Sequence, residues 1–344
     1  MHDLRNFTLR QLEELVVEKG EPKFRAKQLY GWIYKGISDF REMKNLPEIF
    51  LCNLRKDCVV GDIRMEKRRI SSLDGTEKFL FALNDGNSIE SVFMKYRYGN
   101  SVCISSQAGC RMGCTFCASG INGLARNLTA GEMVSQVLEV ERCTGESISR
   151  IVVMGTGEPF DNYENLARFI EIMNDPGGRK TGMRNLTVST CGIVPAILKF
   201  AKDFPQVNLA ISLHAPTDEL RSGMMPVNRS YPVGDLMAAA AEYTEMTHRR
   251  ITFEYALVSG VNDDRKSLSA LVEKLSGMLC HVNLIPINPV IEKDFKSPGR
   301  RRAGEIAAYL NKNGIPATVR RQLGADIQGA CGQLRLKTYY MGDT

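Results

Sequence analysis

The sequence predicts an α/β protein: a parallel sheet, open or rolled into a barrel, behind a small helical unit and a β segment. Three observations predict it. Beyond Gly120, strand-length apolar runs alternate with stretches of helical periodicity. Residues 1–60 carry helical patterns only. Residues 61–99 carry short alternating runs cut by turn pairs. The length, 344 residues, suits two or three units of roughly 100 to 200 residues, or one large α/β barrel with an appendage. The expected division is a helical domain at 1–60, a linking β segment at 61–99, a core at 100–325 and a C-terminal loop at 326–344.

The elements follow in chain order. Thr8 to Lys19 reads as a helix: Thr8 and Gln11 fit a capping box, Leu9, Leu12, Leu15 and Val16 recur at helical spacing, and Gly20 and Pro22 stop it. A second helix, Lys23 to Lys35, interleaves Lys23, Arg25, Lys27 and Lys35 with Phe24, Tyr30, Trp32 and Tyr34, and a third spans Asp39 to Lys56. Asp74-Gly75, Asp85-Gly86 and Gly99-Asn100 are hairpin signals. Seven strands are then expected, at Val102–Ser106, Ile151–Met154, Leu186–Thr190, Val207–Leu213, Ile251–Val258, His281–Pro286 and Ala317–Arg321. Between them helices are expected after the Thr129 cap (with Glu132 as partner), after Asn162, from Pro195, and over Val233–Met246, Lys266–Met278 and Arg302–Asn313. In such sheets reactive groups gather on loops after the carboxyl ends of strands. Cys110–Cys117, Gly155–Pro159, Ser189-Thr190, Ser212–His214 and Asn288-Pro289 all occupy such loops, so they should meet at one mouth.

Composition sets outer limits. With 43% hydrophobic and 24% charged residues, 30 Gly and 13 Pro, the chain is neither collagen-like, coiled-coil nor disordered. It has no apolar run of about 18 residues, and its start, Met1-His2-Asp3-Leu4-Arg5, is charged, so neither a membrane span nor export is expected and the cytoplasm is the default. A net charge of +6 permits polyanion binding.

In a reducing compartment the ten cysteines point to metal or catalysis where their spacing is regular. Cys110, Cys114 and Cys117 form C-x3-C-x2-C, a spacing with a chance occurrence of roughly one in a thousand per cysteine at this composition. Structural zinc usually wants four ligands, and Cys143 and His214 are not at finger spacing. Three thiolates on a 4Fe-4S cluster leave one iron open for a substrate. Small or polar residues from Gln107 to Gly120 suit a loop wrapped on a cofactor.

C-x3-C-x2-C after the first strand, with Phe116 between the last two cysteines, resembles the signature of radical-SAM enzymes. Further segments extend the likeness: Ser105-Ser106-Gln107, Met154-Gly155-Thr156-Gly157-Glu158-Pro159, Ser212-Leu213-His214-Ala215-Pro216, Met225-Pro226-Val227-Asn228, Val282-Asn283-Leu284-Ile285-Pro286 and Ala330-Cys331-Gly332-Gln333-Leu334. Together they resemble the RlmN and Cfr ribosomal RNA adenine methyltransferases nearly end to end. The resemblance implies a partial (βα)6-type TIM-like barrel holding one 4Fe-4S cluster on Cys110, Cys114 and Cys117. It implies two molecules of S-adenosylmethionine per turnover, bound by Gly157, Glu158, Ser189, Ser212, Leu213, His214 and Asn288. Thr156 stands where many relatives carry Met.

Three further residues gain roles only from the resemblance. Cys331, by itself a small residue among small neighbours, matches the methyl carrier, an S-methylcysteine intermediate. Cys103, by itself a core residue, matches the thiol that resolves the protein–RNA adduct through a transient disulfide with Cys331. Glu90, by itself a solvent-facing strand residue, matches the proton acceptor. The implied partners are 23S rRNA, tRNA and an electron donor such as flavodoxin or ferredoxin, with no membrane. Lys67-Arg68-Arg69, Lys95, Arg97, Arg249-Arg250, Arg300-Arg301-Arg302 and Arg320-Arg321 are solvated faces or phosphate contacts. Pro159 after Glu158 favours the RlmN branch, which methylates adenine carbon 2; the alternative is Cfr-like methylation of carbon 8.

Overall fold

The computed structural model describes residues 1–61, 63–290 and 292–334, so the end of the expected C-terminal loop, 335–344, lies outside the described residues. A parallel pair, β1 (His2–Asp3) with β2 (Cys58–Val59), joins the two ends of the N-terminal unit. Between them run α1 (Leu9–Glu18), α2 (Phe24–Ile33) and α3 (Glu48–Arg55). Thr8 and Gln11 make the expected reciprocal capping box. The helix expected over Asp39–Lys56 is instead a 3-10 turn at Phe40–Glu42 and the separate α3. Pro47 is the cause: at ψ 135° it sits extended as the N-cap of α3, and a proline also biases the residue before it away from helix. Leu12, Val16, Leu29, Ile33, Phe50 and Leu54 give this unit its own core.

The rest of the chain builds one sheet. Its strands are β3 (Ile63–Ile70), β4 (Glu77–Leu83), β5 (Ser88–Tyr96), β6 (Gly99–Ile104), β9 (Arg150–Val153), β10 (Leu186–Thr190), β11 (Asn208–Ser212), β12 (Ile251–Leu257), β13 (Cys280–Pro286) and β14 (Ala317–Val319). A small hairpin, β7 (Gln107–Gly109) with β8 (Leu124–Asn127), stands apart after β6. The helices are α4 (Ala130–Thr144), α5 (Tyr163–Asn174), α6 (Val194–Asp203), α7 (Asp218–Met224), α8 (Val233–Thr247), α9 (Arg265–Leu275) and α10 (Gly299–Lys312). Among the described residues the sheet has ten strands in the order β14-β13-β12-β11-β10-β9-β6-β5-β4-β3. From β6 to β14 every neighbour is parallel, with helices in each crossover. The alternation read from the sequence is therefore present, with α7 and the β7–β8 hairpin added.

The β segment expected as a link is continuous with this sheet: β3, β4 and β5 add to β6 as an antiparallel meander. Register decides what its two faces carry. Leu80 stands opposite Glu90, Lys78 opposite Val92, and Val92 opposite Cys103, so these side chains share one face. The other face holds Phe79, Phe81, Ile89, Phe93 and Val102, packed in the main core with Val134 and Val137 of α4. Arg5 clips the N-terminal unit to α4. Its fully buried guanidinium donates to Ser135 Oγ (3.1 Å) and the Ile37 carbonyl (3.0 Å) and pairs with Glu139 (3.4 Å).

Candidate active site

The loops at the carboxyl ends of the parallel strands enclose a cavity of about 960 Å³, its open mouth included. Cys110, Cys114, Cys117, Gly157, Glu158, Ser189, Ser212, His214, Asn288 and Cys331 line it. Leu213 does not: its side chain is in the main core, and its carbonyl accepts from Arg221 Nε (3.1 Å). Glu90 and Cys103 lie outside this lining as well.

The cysteine loop has a narrow neck. Cys110 N–H donates to the Gly123 carbonyl (2.8 Å), and a Cβ at Gly109, where φ is +80°, would sit 2.0 Å from that same oxygen, so only glycine fits. Beyond the neck the loop is held at three points. Thr115 N–H donates to the Met224 carbonyl (2.9 Å), Ala118 N–H to that of Gly332 (2.8 Å), and Ser119 Oγ to that of Leu334 (2.7 Å). Burial pushes the Cys110 thiol up to about 12 and raises Cys114 too, so these sulfurs want a cation if they are to be thiolates. Among the described residues no three His, Cys, Asp or Glu side chains converge as ligands of one ion would. Three thiols that each bind a different iron of a cubane cluster need not converge, so the donor set fits a cluster better than zinc.

The Gly155–Pro159 loop lies directly on the segment before the cysteines. A Cβ on Gly155 would meet the Ile104 carbonyl oxygen at 2.7 Å, and one on Gly157, where φ is +110°, would meet Gln107 Cβ at 2.6 Å. Gln107 Oε1 in turn accepts from Glu158 N–H (2.8 Å). The Glu158 carboxylate is buried and accepts from the backbone N–H of Phe160 (3.0 Å) and Cys191 (2.6 Å). Burial raises its pKa, and those two donors oppose the rise.

His214 has left-handed backbone (φ 57°) and its ring meets Phe116 edge-on at 4.9 Å. Its Nδ1 accepts from Ala256 N–H (2.9 Å), which places the ring proton on Nε2. Burial, with Arg221 adding to it, lowers its pKa to about 3, so the ring is neutral. Arg221 is fully buried and ties two loops together, donating to the carbonyls of Leu213 (3.1 Å), Cys191 (2.6 Å) and Ser212 (3.1 Å) and to Asn228 Oδ1 (3.0 Å). Asn288 donates to the Cys331 carbonyl (3.0 Å) and accepts from Gln322 (2.8 Å). Deeper in the barrel Glu254 pairs with Arg320 (3.5 Å) and accepts from Asn283 (2.9 Å).

The antiparallel strands face the loop that carries Cys331. Val92, Met94 and Cys103 pack with Leu323 and Leu334. Burial pushes the Cys103 thiol up to about 12, with Cys331 adding to the effect and Arg320 opposing it. Glu90 is not solvent-facing: it is 2% exposed and pairs with Lys78 at 2.9 Å. The loop is fastened to the β3–β4 turn, where Asp326 accepts from Ser71 Oγ (2.6 Å) and Ser72 N–H (3.0 Å), and Asp74 from Gly324 N–H (3.0 Å).

Comparison with known proteins bears directly on this arrangement. Residues 104–271 match the radical SAM superfamily and residues 2–60 the ribosomal RNA large subunit methyltransferase N-terminal domain. A crystal structure of a radical SAM methyltransferase from Sphaerobacter thermophilus superposes with a TM-score of 0.93 at 44% identity, covering 97% of this chain and 99% of that one. A probable dual-specificity RNA methyltransferase RlmN from Thermoanaerobacter sp. (strain X514) is 50% identical over 338 residues, 98% of each chain. The chain belongs to the RlmN family. A relative of the same description from Lachnospira eligens is 49% identical over all 344 residues, 98% of its own length. Membership in this radical-SAM RNA methyltransferase family implies a 4Fe-4S cluster and S-adenosylmethionine.

Within this RlmN-family site, sequence reasoning missed Lys78, Arg221, Glu254 and Arg320. A signal existed for two of them, since Glu254 in Ile251–Leu257 and Lys78 in Glu77–Leu83 are charges inside otherwise apolar strands, which is costly without a buried partner. Arg320 lines the cavity and pairs there with Glu254. Arg68 is likewise engaged, by Glu77 (2.7 Å) and the Cys143 carbonyl (2.9 Å), and Lys95 by Glu146 (2.8 Å). Lys67, Arg69, Arg97, Arg250, Arg300 and Arg321 are exposed.

Proposed function

We propose that the protein methylates carbon 2 of an adenine in 23S rRNA, and of the adenosine 3′ of the anticodon in some tRNAs, by way of a methylated Cys331. In this reading Cys110, Cys114 and Cys117 hold the cluster, and Gly157, Glu158, Ser189, Ser212, Leu213, His214 and Asn288 form the S-adenosylmethionine site, Leu213 through its backbone. One observation carries it. The Cys331 loop is bonded on one side to the cysteine loop, through Ala118 N–H and the Gly332 carbonyl, and covers Cys103 on the other. A carrier thiol between a radical source and a second thiol is what the chemistry needs.

When bound, the cluster and S-adenosylmethionine supply the electron, the methyl group and a hydrogen-abstracting carbon radical. The residues supply thiol and proton chemistry. Adenine carbon 2 is an amidine carbon, electrophilic and unable to displace a methyl group from a sulfonium, so the Cys331 sulfur accepts the methyl group first. After the methyl carbon on Cys331 has lost a hydrogen atom and bonded to the ring, Glu90 takes the proton from the substituted ring carbon while one electron leaves the adduct, returning the one that began the cycle. Cys103 then attacks the Cys331 sulfur: an S–S bond forms, the S–C bond breaks, and the carbon leaves with the electron pair and takes up a proton as the new methyl group. Both sulfurs end oxidised, and a dithiol reductant returns them to thiols for the next turnover.

The same reading assigns residues 1–60 to holding RNA, 61–99 and 100–325 to the site, and 326–344 to the carrier loop. It sets the enzyme in the cytoplasm with flavodoxin or ferredoxin as donor; no helix of the described residues is long and apolar enough to cross a membrane. The test is anaerobic reconstitution with S-adenosylmethionine, a reductant and unmodified 23S RNA or tRNA, followed by nucleoside mass spectrometry. 2-Methyladenosine is expected. 8-Methyladenosine would overturn the branch assignment, and no methylated adenosine from a cluster-loaded, reducible enzyme would overturn the reading.

A further inference from the structure

We infer that Lys78 is a positioning residue for the reaction, holding Glu90 in place and coupling it to the loop that carries Cys331. This rests on the reading of Glu90 as the proton acceptor. The Lys78 ammonium lies between two groups from different parts of the chain: Glu90 Oε1 at 2.9 Å and the Gln328 carbonyl, three positions before Cys331, at 3.1 Å. Its side chain is 9% exposed and that of Glu90 2%.

Three physical points favour a working role over a merely structural one. A buried ion pair is a poor way to stabilise a sheet, because hydrophobic residues of the same volume do as well or better. Register then puts Lys78 on the one face of the meander that also bears Glu90 and Cys103, whereas the opposite face, mostly aromatic and aliphatic, has its polar groups in contacts of Arg68 with Glu77 and of Ser91 with Gln136, away from the Cys331 loop. Finally, the contact to Gln328 is made by a residue in left-handed backbone (φ 52°), so the carbonyl is turned toward Lys78 by a conformation L-residues adopt rarely. Among the described residues the titratable groups on the elements around Glu90 include Lys78 on β4, Tyr96 on β5, Cys103 on β6, Cys331 on the loop and Arg320 after β14, while Glu77 on β4 and Lys95 on β5 are taken up by Arg68 and Glu146. Lys78 reaches both the carboxylate and the carrier loop. One ammonium group thus joins the base to the carrier loop, alongside the other bonds that seat that loop.

The test uses reconstituted holoenzyme carrying Lys78→Met, Lys78→Arg, Glu90→Gln or Lys78→Met with Glu90→Gln. S-methylation of Cys331 is read by peptide mass spectrometry and methyladenosine by nucleoside mass spectrometry. Lys78→Met should lower methyladenosine formation roughly 10- to 100-fold, the usual cost of losing an outer partner of a reactive group, while Cys331 is still methylated. Lys78→Arg should restore turnover. The double variant should be no worse than Glu90→Gln alone, because both changes then act on one step. If Lys78→Met does not fold, Lys78→Gln, which keeps a donor toward Gln328 without the charge, takes its place. Normal turnover in the neutral variants, an equal loss of Cys331 methylation, or a double variant that multiplies the two defects would each overturn the inference. Full activity of Glu90→Gln would instead sink the proton-acceptor reading itself, and this inference with it.

Discussion

The parallel and antiparallel halves of the one sheet place their functional groups by different rules. In the parallel half, β6 and β9 to β14, most cavity residues sit at the carboxyl ends of strands or on the loops just past them, held there by contacts to backbone such as Gln107 to Glu158 and Arg221 to Cys191. In the antiparallel half, Lys78 and Glu90 sit within strands, and register brings them onto one face with Cys103 on β6, the strand shared by the two halves. Loops tolerate insertion and exchange; a register does not, since a slip of one residue turns every side chain to the other face. On the proposed reading, the difference teaches that a cofactor pocket and a proton-and-thiol relay can share one sheet while answering to different constraints.

Substitutions in each half should break this division in distinct ways. The largest effect is expected for Cys114→Ala, which should lose the brown chromophore and all methyl transfer; an iron-replete Cys114→Ala protein would contradict the ligand assignment. Cys331→Ala should lose methyl transfer equally but keep iron content and visible absorbance, so any methyladenosine from it would remove the carrier mechanism. Cys103→Ala, on the shared strand β6, should accumulate a protein–RNA crosslink visible on a denaturing gel, whereas clean turnover would count against its resolving role. Gly157→Ala is a test of the parallel half alone. A Cβ 2.6 Å from Gln107 at φ +110° should cost about 1–3 kcal/mol, read as a lower Tm with weaker S-adenosylmethionine binding; an unchanged Tm would mean the loop has room to move. Smallest is Asp326→Asn, which weakens the fastening of the Cys331 loop to Ser71 and Ser72. Faster amide exchange over 324–334 with the cluster unaltered is expected, and unaltered exchange would show that Lys78 and Asp74 hold the loop without it.

The two halves also differed in how much the sequence revealed. Alternating strands and helices marked the parallel half, and the rule that loops past strand ends carry chemistry was enough to bring Cys110, Glu158, His214 and Asn288 to one cavity. Glu90 and Cys103 could not be placed that way. Residue pattern alone made Glu90 a solvent-facing strand residue, because nothing local announces that β4 and β5 are covered on both faces, one by α4 and the other by a loop more than 200 residues away. Arg221 and Arg320 were illegible for a related reason: an arginine donating to carbonyls or to a buried glutamate has the same sequence appearance as one in water. The break before α3 was readable, since Pro47 was in plain view.

The neck at Gly109 and Gly123 has a consequence for how the enzyme matures. Chain closure around a loop of this length costs on the order of 2 kcal/mol in entropy, and here the β7–β8 pairing and the Cys110–Gly123 bond already meet that cost within the polypeptide. In zinc fingers the metal must gather its ligands from a disordered chain, and folding waits for it. Here the chain's own bonds close the ring of backbone, so that cost would not fall on the cysteine–iron bonds alone, and Gly109→Ala, which blocks the neck, should lower iron loading on reconstitution.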